Sequence, residues 1–275
     1  MKFLEYIING FSKVLVVDAE YLSDLSGTTP QRILCLVFKD ISTGEKFRYW
    51  VDGEKNIPHF FDYKNTLLVS FNAVAEHGVF LNLFHGRPKY MFDCFVENKC
   101  LYGPFLTKDK TGLIDTCDRY NIPTISKVEK DKELDVILRR NEFSELPFEY
   151  TVAEQKRILD YCQTDVEELE KLFVSQCQDI ELKNKLKTNE DFERTLWEIT
   201  FRGYSQGCFA AIEKNGIPID GDLVNRFNIN WVNVKNKIIE KKNKKLNVYT
   251  DDHKFNREKF NKFVNSCGLG RTWPL

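Results

Sequence analysis

A short continuous run of aliphatic residues near the N-terminus constrains the fold more than any other feature of the sequence. Residues 14–17, Val-Leu-Val-Val, have strand length, and the absence of polar alternation predicts burial on both faces in the middle of a sheet. Asp18 and Glu20 follow at once. Residues two apart on a strand project to the same side, so both carboxylates are expected together beyond the strand's carboxyl end, where open α/β sheets bind ligands.

Three further strands and a helix are predicted downstream. RILCLVF (32–38) and KFRYWV (46–51) flank a turn-like segment and predict a hairpin, and TLLVS (66–70) predicts a fourth strand. Apolar residues at helical spacing over 73–84 predict a helix after it. Strands followed by helices predict an α/β domain with a mixed sheet. Shorter helical patterns lie around 92–101 and 113–120.

A long helix beginning near residue 152 carries an anomaly. Thr151 and Glu154 form a T-x-x-E capping box before it. Asp165 lies on its apolar face, with Tyr161 one turn earlier on the same side. Burying an ionised, unpaired carboxylate is strongly unfavourable, so Asp165 must be hydrogen-bonded, salt-bridged or bound to a cation. The alternative to a functional site is a paired core Asp beside a packing Tyr. The apolar face comprises Ile158, Cys162, Val166, Leu169, Leu172 and Phe173.

Glu76 adds a fourth acid at the junction between the fourth strand and its helix, with Asn72 four residues before it. The D-x-E and N-x-x-x-E spacings both recur elsewhere, so the signal depends on the order and placement of the acids. Four acids without His or Cys ligands suit hard, oxygen-preferring cations, Mg²⁺ or Mn²⁺. Two such ions are what phosphodiester hydrolysis requires.

Three motifs together resemble the DEDD superfamily of 3′-to-5′ exonucleases: DAE (18–20), NAVAE (72–76) and YCQTD (161–165). The resemblance implies an RNase H-like fold and metal-dependent trimming of 3′ ends. Tyr161, preceded by Asp160, is similar to the tyrosine subgroup, which is typical of polymerase proofreading domains.

The resemblance also implies a role for each acid. Asp18, Glu20 and Asp165 would hold the metal that carries the attacking water, with Asp18 shared between two ions. Tyr161 would orient the water, and Glu76 would reach the second ion, through water. Glu76 departs from the family, which usually has Asp there, and its longer side chain is expected to reach a metal.

The last third of the chain has a different charge and a second resemblance. Residues 1–180 hold 22 basic and 29 acidic side chains, whereas 181–275 hold 18 and 12. The basic excess would suit phosphates or would simply form a solvated lysine-rich helix. Residues 202–220 and the terminal RTWPL resemble the segment that opens the polymerase region of phage-type family A DNA polymerases. No palm or fingers motif follows, so this chain is not expected to extend a primer.

These features predict an exonuclease domain at 1–180 and a smaller, mainly helical segment at 181–275. The chain is expected to be either a fragment of a proofreading polymerase, with its polymerase domain absent, or a stand-alone relative. The ending at Trp-Pro-Leu favours a fragment.

The expected substrate is the frayed, single-stranded 3′ end of DNA. Aromatic side chains near the metals would stack its bases without reading their identity. The alternative for each of these residues is ordinary core packing. The candidate contacts are Tyr21, Leu22, Phe71 and Asn72.

Two other functions stay open at this stage: a catalytically silent RNase H-like module that guides DNA, and a related exoribonuclease that shares the acids. The chain has no signal-peptide pattern and no run of 18 apolar residues, so a cytoplasmic address is expected, in a phage-infected host if the phage resemblance holds. The eight cysteines include no C-x-x-C pair and are interpreted as reduced residues.

Overall fold

The computed structural model describes residues 2–23, 30–53, 64–103, 111–138 and 149–270 of the chain. Two compact units make up the protein, residues 1–216 and 217–275. The first is an α/β unit built on one mixed sheet, and the second is mainly helical. The fold class expected from the sequence is therefore confirmed.

The sheet has five strands in the spatial order β3-β2-β1-β4-β5. Neighbouring strands are antiparallel between β1, β2 and β3, and parallel between β1, β4 and β5. The strands are β1 (Lys13–Ser23), β2 (Pro30–Asp40), β3 (Lys46–Trp50), β4 (Thr66–Ser70) and β5 (Tyr90–Asp93). Because β1 and β4 are parallel neighbours, their carboxyl ends lie at the same edge of the sheet.

The aliphatic run in β1 is fully buried, as its sequence predicts. Val14 and Val16 face a core formed with the long helix, whereas Leu15 and Val17 face a second core on the other side of the sheet. The strand continues beyond the run to Ser23, with an irregular register against β2 between Glu20 and Tyr21.

Seven helices are described in the first unit: α1 (Lys2–Gly10), α2 (Val74–Leu83), α3 (Cys94–Tyr102), α4 (Leu113–Arg119), α5 (Lys127–Leu138), α6 (Val152–Lys183) and α7 (Asn189–Asn215). The capping box predicted for α6 is present, since the Thr151 side chain accepts from the Glu154 N–H and the Glu154 carboxylate accepts from the Thr151 N–H. The helical pattern around 92–101 proves to be the end of strand β5 followed by α3.

Helix α7 packs closely against the edge strand β5 and against α2. A Cβ atom at Gly203 would lie 2.0 Å from the Met91 carbonyl oxygen, and one at Gly207 would lie 2.9 Å from the ring of the buried His77. Only glycine permits this approach at either position. Because α7 packs in this way, the first compact unit extends past residue 180. The assignment of 1–180 and 181–275 as functional domains stays a prediction.

The second unit contains α8 (Gly221–Leu246) and α9 (Arg257–Ser266), with an isolated bridge between Tyr249 and Phe255. Ile239, Val248 and Val264 form its small buried centre. In the described part of the chain, no helix is both long enough and apolar enough to span a membrane.

Candidate active site

Strand β1 and helix α6 bring two acids and a thiol together at the carboxyl end of the central strand. One ligand-type atom from each of Asp18, Glu20 and Cys162 lies within 4.8 Å of the others. The Cys162 thiol donates a hydrogen bond to Asp18 Oδ2 at 3.4 Å. The two carboxylates therefore share one side of the strand, as their spacing predicts.

Helix α6 adds two more of the predicted residues. Tyr161 precedes Asp165 by one turn, and the two side chains interact electrostatically. Both residues are buried, Asp165 with 7% of its surface exposed. The charge of Asp165 acts on Asp18, so the acid on the apolar face of α6 adjoins the acids of β1.

Glu76 enters the site from a turn with unusual backbone geometry. After β4, Asn72 adopts a φ of 66°, and the Asp93 carboxylate accepts the N–H groups of Asn72 and Ala73, each at 3.0 Å. Helix α2 starts there and places Glu76 in its first turn, 3% exposed. Within the described structure, Glu76 Oε2 has no hydrogen-bond partner. The charges of Glu76 and Asp18 interact, although neither Glu76 nor Asp165 belongs to the 4.8 Å group.

Burial and crowding make this group of acids electrostatically unfavourable. Burial, followed by the charge of Asp165, raises the pKa of Asp18 to about 7. The pKa of Glu20 and that of Glu76 are raised well above their usual values, mainly by burial and next by Asp18. Burial raises the pKa of Asp165 as well, although a nearby lysine opposes this. Such acids either hold protons or require cations among them.

The lysine is Lys130 on α5, whose Nζ lies 3.5 Å from Asp165 Oδ2. Sequence reasoning missed both Lys130 and the contribution of Cys162. Lys130 lies in the charged segment KVEKDKEL, a composition typical of a solvated helix. Cys162 was assigned to the apolar face of α6, which it also occupies, and its position next to Tyr161 was the only available signal.

Four residues were predicted as nucleic-acid contacts, and all are partly buried. Tyr21 packs against the core on the α2 side of the sheet, and Leu22 against the core on the α6 side. The Phe71 ring contacts the Phe95 ring edge-on, with centroids 5.6 Å apart. Asn72 forms the turn before Glu76. Tyr21 interacts electrostatically with Glu76 and Asp18. Contact of the four residues with nucleic acid stays a prediction.

The oxygen donors fit a hard divalent cation. The Cys162 thiol donates a hydrogen bond to Asp18, and its sulfur is a poorer ligand for a hard cation than the carboxylate oxygens around it. The donor set is then carboxylate oxygen, from Asp18, Glu20 and Asp165, with the unpaired Glu76 oxygen near. Mg²⁺ and Mn²⁺ prefer such donors, whereas Zn²⁺ prefers nitrogen and sulfur.

The chain is similar to known proteins in structure but not detectably in sequence. No protein-family model and no curated protein sequence matches the chain. A solved nuclease in its apo form aligns with a TM-score of 0.50 at 15% identity, over 79% of this chain and 91% of the other. That likeness shows a shared fold.

Two further solved structures align less closely. The complex of Brucella melitensis NrnC with pGG has a TM-score of 0.46 at 16% identity, covering 72% of this chain and 86% of NrnC. Escherichia coli RNase D, an exoribonuclease involved in structured RNA processing, has a TM-score of 0.39 at 15% identity, covering 73% and 47%.

Proposed function

We propose that the chain is a metal-dependent 3′-to-5′ exonuclease that removes nucleotides from single-stranded DNA ends. One observation carries the proposal: ligand-type oxygens of Asp18 and Glu20 lie within 4.8 Å of each other, Asp165 interacts electrostatically with both, and the three carboxyl groups outnumber the single Lys130 ammonium beside them. A partly buried site with that excess suits divalent cations, and its fold is one that a nuclease also adopts.

The residues divide the chemical work among them. Asp18, Glu20 and Asp165 would hold Mg²⁺ or Mn²⁺, and Glu76 would reach a second ion with its unpaired oxygen. Two bound ions would supply a metal-activated water and stabilise the charge on the leaving 3′ oxygen.

Tyr161 would position the attacking water without taking its proton. Its pKa is raised, mainly by burial and next by Asp165, so the phenol stays protonated at neutral pH. A protonated phenol both donates and accepts hydrogen bonds, so the Tyr161 oxygen would accept one from the water.

DNA is the proposed substrate because residues 202–220 resemble the start of a family A polymerase region. The chain would then act on frayed 3′ ends beside a polymerase domain, in the cytoplasm of a phage-infected host. Tyr21, Leu22, Phe71 and Asn72 would contact the terminal nucleotides. An exoribonuclease would use the same acids, and a silent binding module would not need them.

The test uses a 5′-labelled DNA strand and its RNA counterpart, with Mg²⁺ and then with excess chelator, on the wild type and Asp165→Ala. Stepwise, metal-dependent shortening of DNA that the variant lacks would support the proposal. Shortening of RNA alone would replace it with the exoribonuclease. Binding of the strand without shortening, in Mg²⁺ and in Mn²⁺, would favour the silent module.

A further inference from the structure

Lys130 is a cation within the acid cluster that the proposed chemistry does not use. Its Nζ lies 3.5 Å from Asp165 Oδ2 and 5.8 Å from the centroid of the Tyr161 ring. Helix α5, which carries it, packs against β1 and α6, the two elements that supply the acids. The position is therefore set by the fold, although the side chain retains 29% exposure.

The charge of Lys130 acts on all three acids nearby. Burial alone would lower the pKa of the Lys130 ammonium, yet the carboxylates, led by Asp165, raise it above its usual value. The effect is reciprocal, because Lys130 opposes the rise in the pKa of Asp18 and of Glu20. One ammonium thus partly compensates three carboxylates.

We propose that Lys130 is a positioning residue that acts as a built-in counter-ion. Its ammonium holds Asp165 beside Asp18 in the absence of metal, and its positive charge limits how tightly the site binds a divalent ion. The inference rests on the proposed function, since it concerns the metal affinity of the same acids. Like charges a few ångströms apart repel, so an ion bound by these carboxylates is opposed by the lysine.

The geometry suits a counter-ion that can give way. Arg202 binds Glu97 through two hydrogen bonds of 2.8 and 2.7 Å, the fork geometry of a permanent pair. Lys130 makes a longer contact of 3.5 Å through a flexible stem. The lysine can therefore move towards solvent or towards a substrate phosphate when a metal ion occupies the acids.

The experiment measures Mn²⁺ binding to the full chain without nucleic acid, from the spin-resonance signal of free Mn²⁺, together with melting in chelator. Lys130→Met removes the charge, and Lys130→Arg keeps it. Lys127→Met is the matched control, because Lys127 lies on the same helix, is 67% exposed, and pairs with Asp115 at 3.0 Å. Lys130→Gln serves as a second neutral variant in case the Met variant does not fold.

The neutral variants are expected to bind Mn²⁺ at least about fivefold more tightly than the wild type, from the loss of roughly 1 kcal/mol of repulsion. In chelator their melting temperature should be lower than that of the wild type, and Mn²⁺ should raise it by more. Lys130→Arg and Lys127→Met should stay within about twofold of the wild-type affinity. Structural damage alone would weaken binding, so an increase identifies the charge.

Unchanged or weaker Mn²⁺ binding in both neutral variants would overturn the inference. An Asp18→Ala variant separates that result from a failure of the proposed function. If the wild type binds Mn²⁺ and Asp18→Ala does not, only the role of Lys130 fails. If Asp18→Ala binds Mn²⁺ as well as the wild type does, the metal site itself is wrong, and both proposals fail together.

Discussion

Two groups of buried or half-buried acids in the first unit are balanced in different ways. Glu97 on α3 is 2% exposed, and Arg202 meets both of its oxygens at 2.7 to 2.8 Å. Asp18, Glu20 and Asp165 instead share one ammonium, and its contact with Asp165 is 3.5 Å long. A buried charge that the chain balances fully needs nothing further. Acids left in excess must either hold protons or bind a cation from solution, and the proposed function requires the cation.

Asp18 gives the most severe test of this difference between the two groups of acids. Its carboxylate is a proposed metal ligand, and its crowding with the other acids lowers the stability of the metal-free protein. Asp18→Asn should lower the rate of 3′-end trimming at saturating Mg²⁺ by about 10³-fold or more, since the proposed metal ligand is lost. In chelator the variant should be at least as stable as the wild type, because a crowded carboxylate has been removed. Asp118→Asn, the same change at an exposed position on α4, is the control. A variant that retains a tenth of the wild-type rate would contradict the assignment.

The balanced pair should respond in the opposite way. Arg202→Met would leave Glu97 buried without its partner and should lower the free energy of unfolding by about 2 to 4 kcal/mol, measured by urea denaturation. Trimming by the folded protein should stay near the wild-type rate. The double variant Arg202→Met, Glu97→Gln should recover most of the stability. A single variant as stable as the wild type would show that this pair is not structural.

Tyr161→Phe sharpens the comparison by removing one hydroxyl and no charge. The turnover number should fall by roughly 10- to 100-fold with little change in KM, the size expected for a group that positions the reacting water. Tyr6→Phe on α1 controls for the loss of a phenol outside the site. A proportional rise in KM with unchanged turnover would instead assign Tyr161 to substrate binding.

Glu168 on α6 gives the smallest expected effect and a dependence on pH. Burial, followed by the charge of Asp165, raises its pKa to about 7 in the folded protein, from an ordinary value of 4.5. The folded state therefore binds the proton of Glu168 more tightly than the unfolded state does. The contribution of this proton to the free energy of unfolding is fully present below pH 4.5 and is lost as the pH rises through 7. Between pH 5 and pH 8 this proton accounts for a fall of about 1 to 2 kcal/mol in the free energy of unfolding, measured by urea denaturation. Glu168→Gln should remove that part of the pH dependence. Parallel pH profiles for the two proteins would refute this prediction.

The elements predicted from the sequence were those whose pattern is local and strong. The run at 14–17 predicts a buried central strand because it has no polar alternation, and Asp165 is conspicuous because it interrupts an apolar stripe. In both cases the physical cost of the alternative is large. The acids of β1 and α6 were expected together because of the order and placement of their motifs and the family that these resemble.

The features that were missed depend on contacts distant in sequence. Helix α5 has little apolar periodicity, so nothing local indicates that Lys130 turns towards Asp165. Strand β5 has four residues and runs directly into α3, so its pattern merges with that of the helix. The packing of α7 is visible only in three dimensions, at Gly203 and Gly207.

The contact of α7 with β5 also bears on self-association. β5 is an edge strand, and open edges are templates on which strands of other molecules can add. At Gly203 the helix lies so close to the Met91 carbonyl that a foreign strand has no room beside it. On the opposite edge, β3 carries Lys46 and Arg48, which pair with Glu167 and Asp160 of α6, and charged side chains on an edge strand disfavour such pairing. Because residue 203 is glycine, α7 can cover this edge and so disfavour the addition of strands from other molecules.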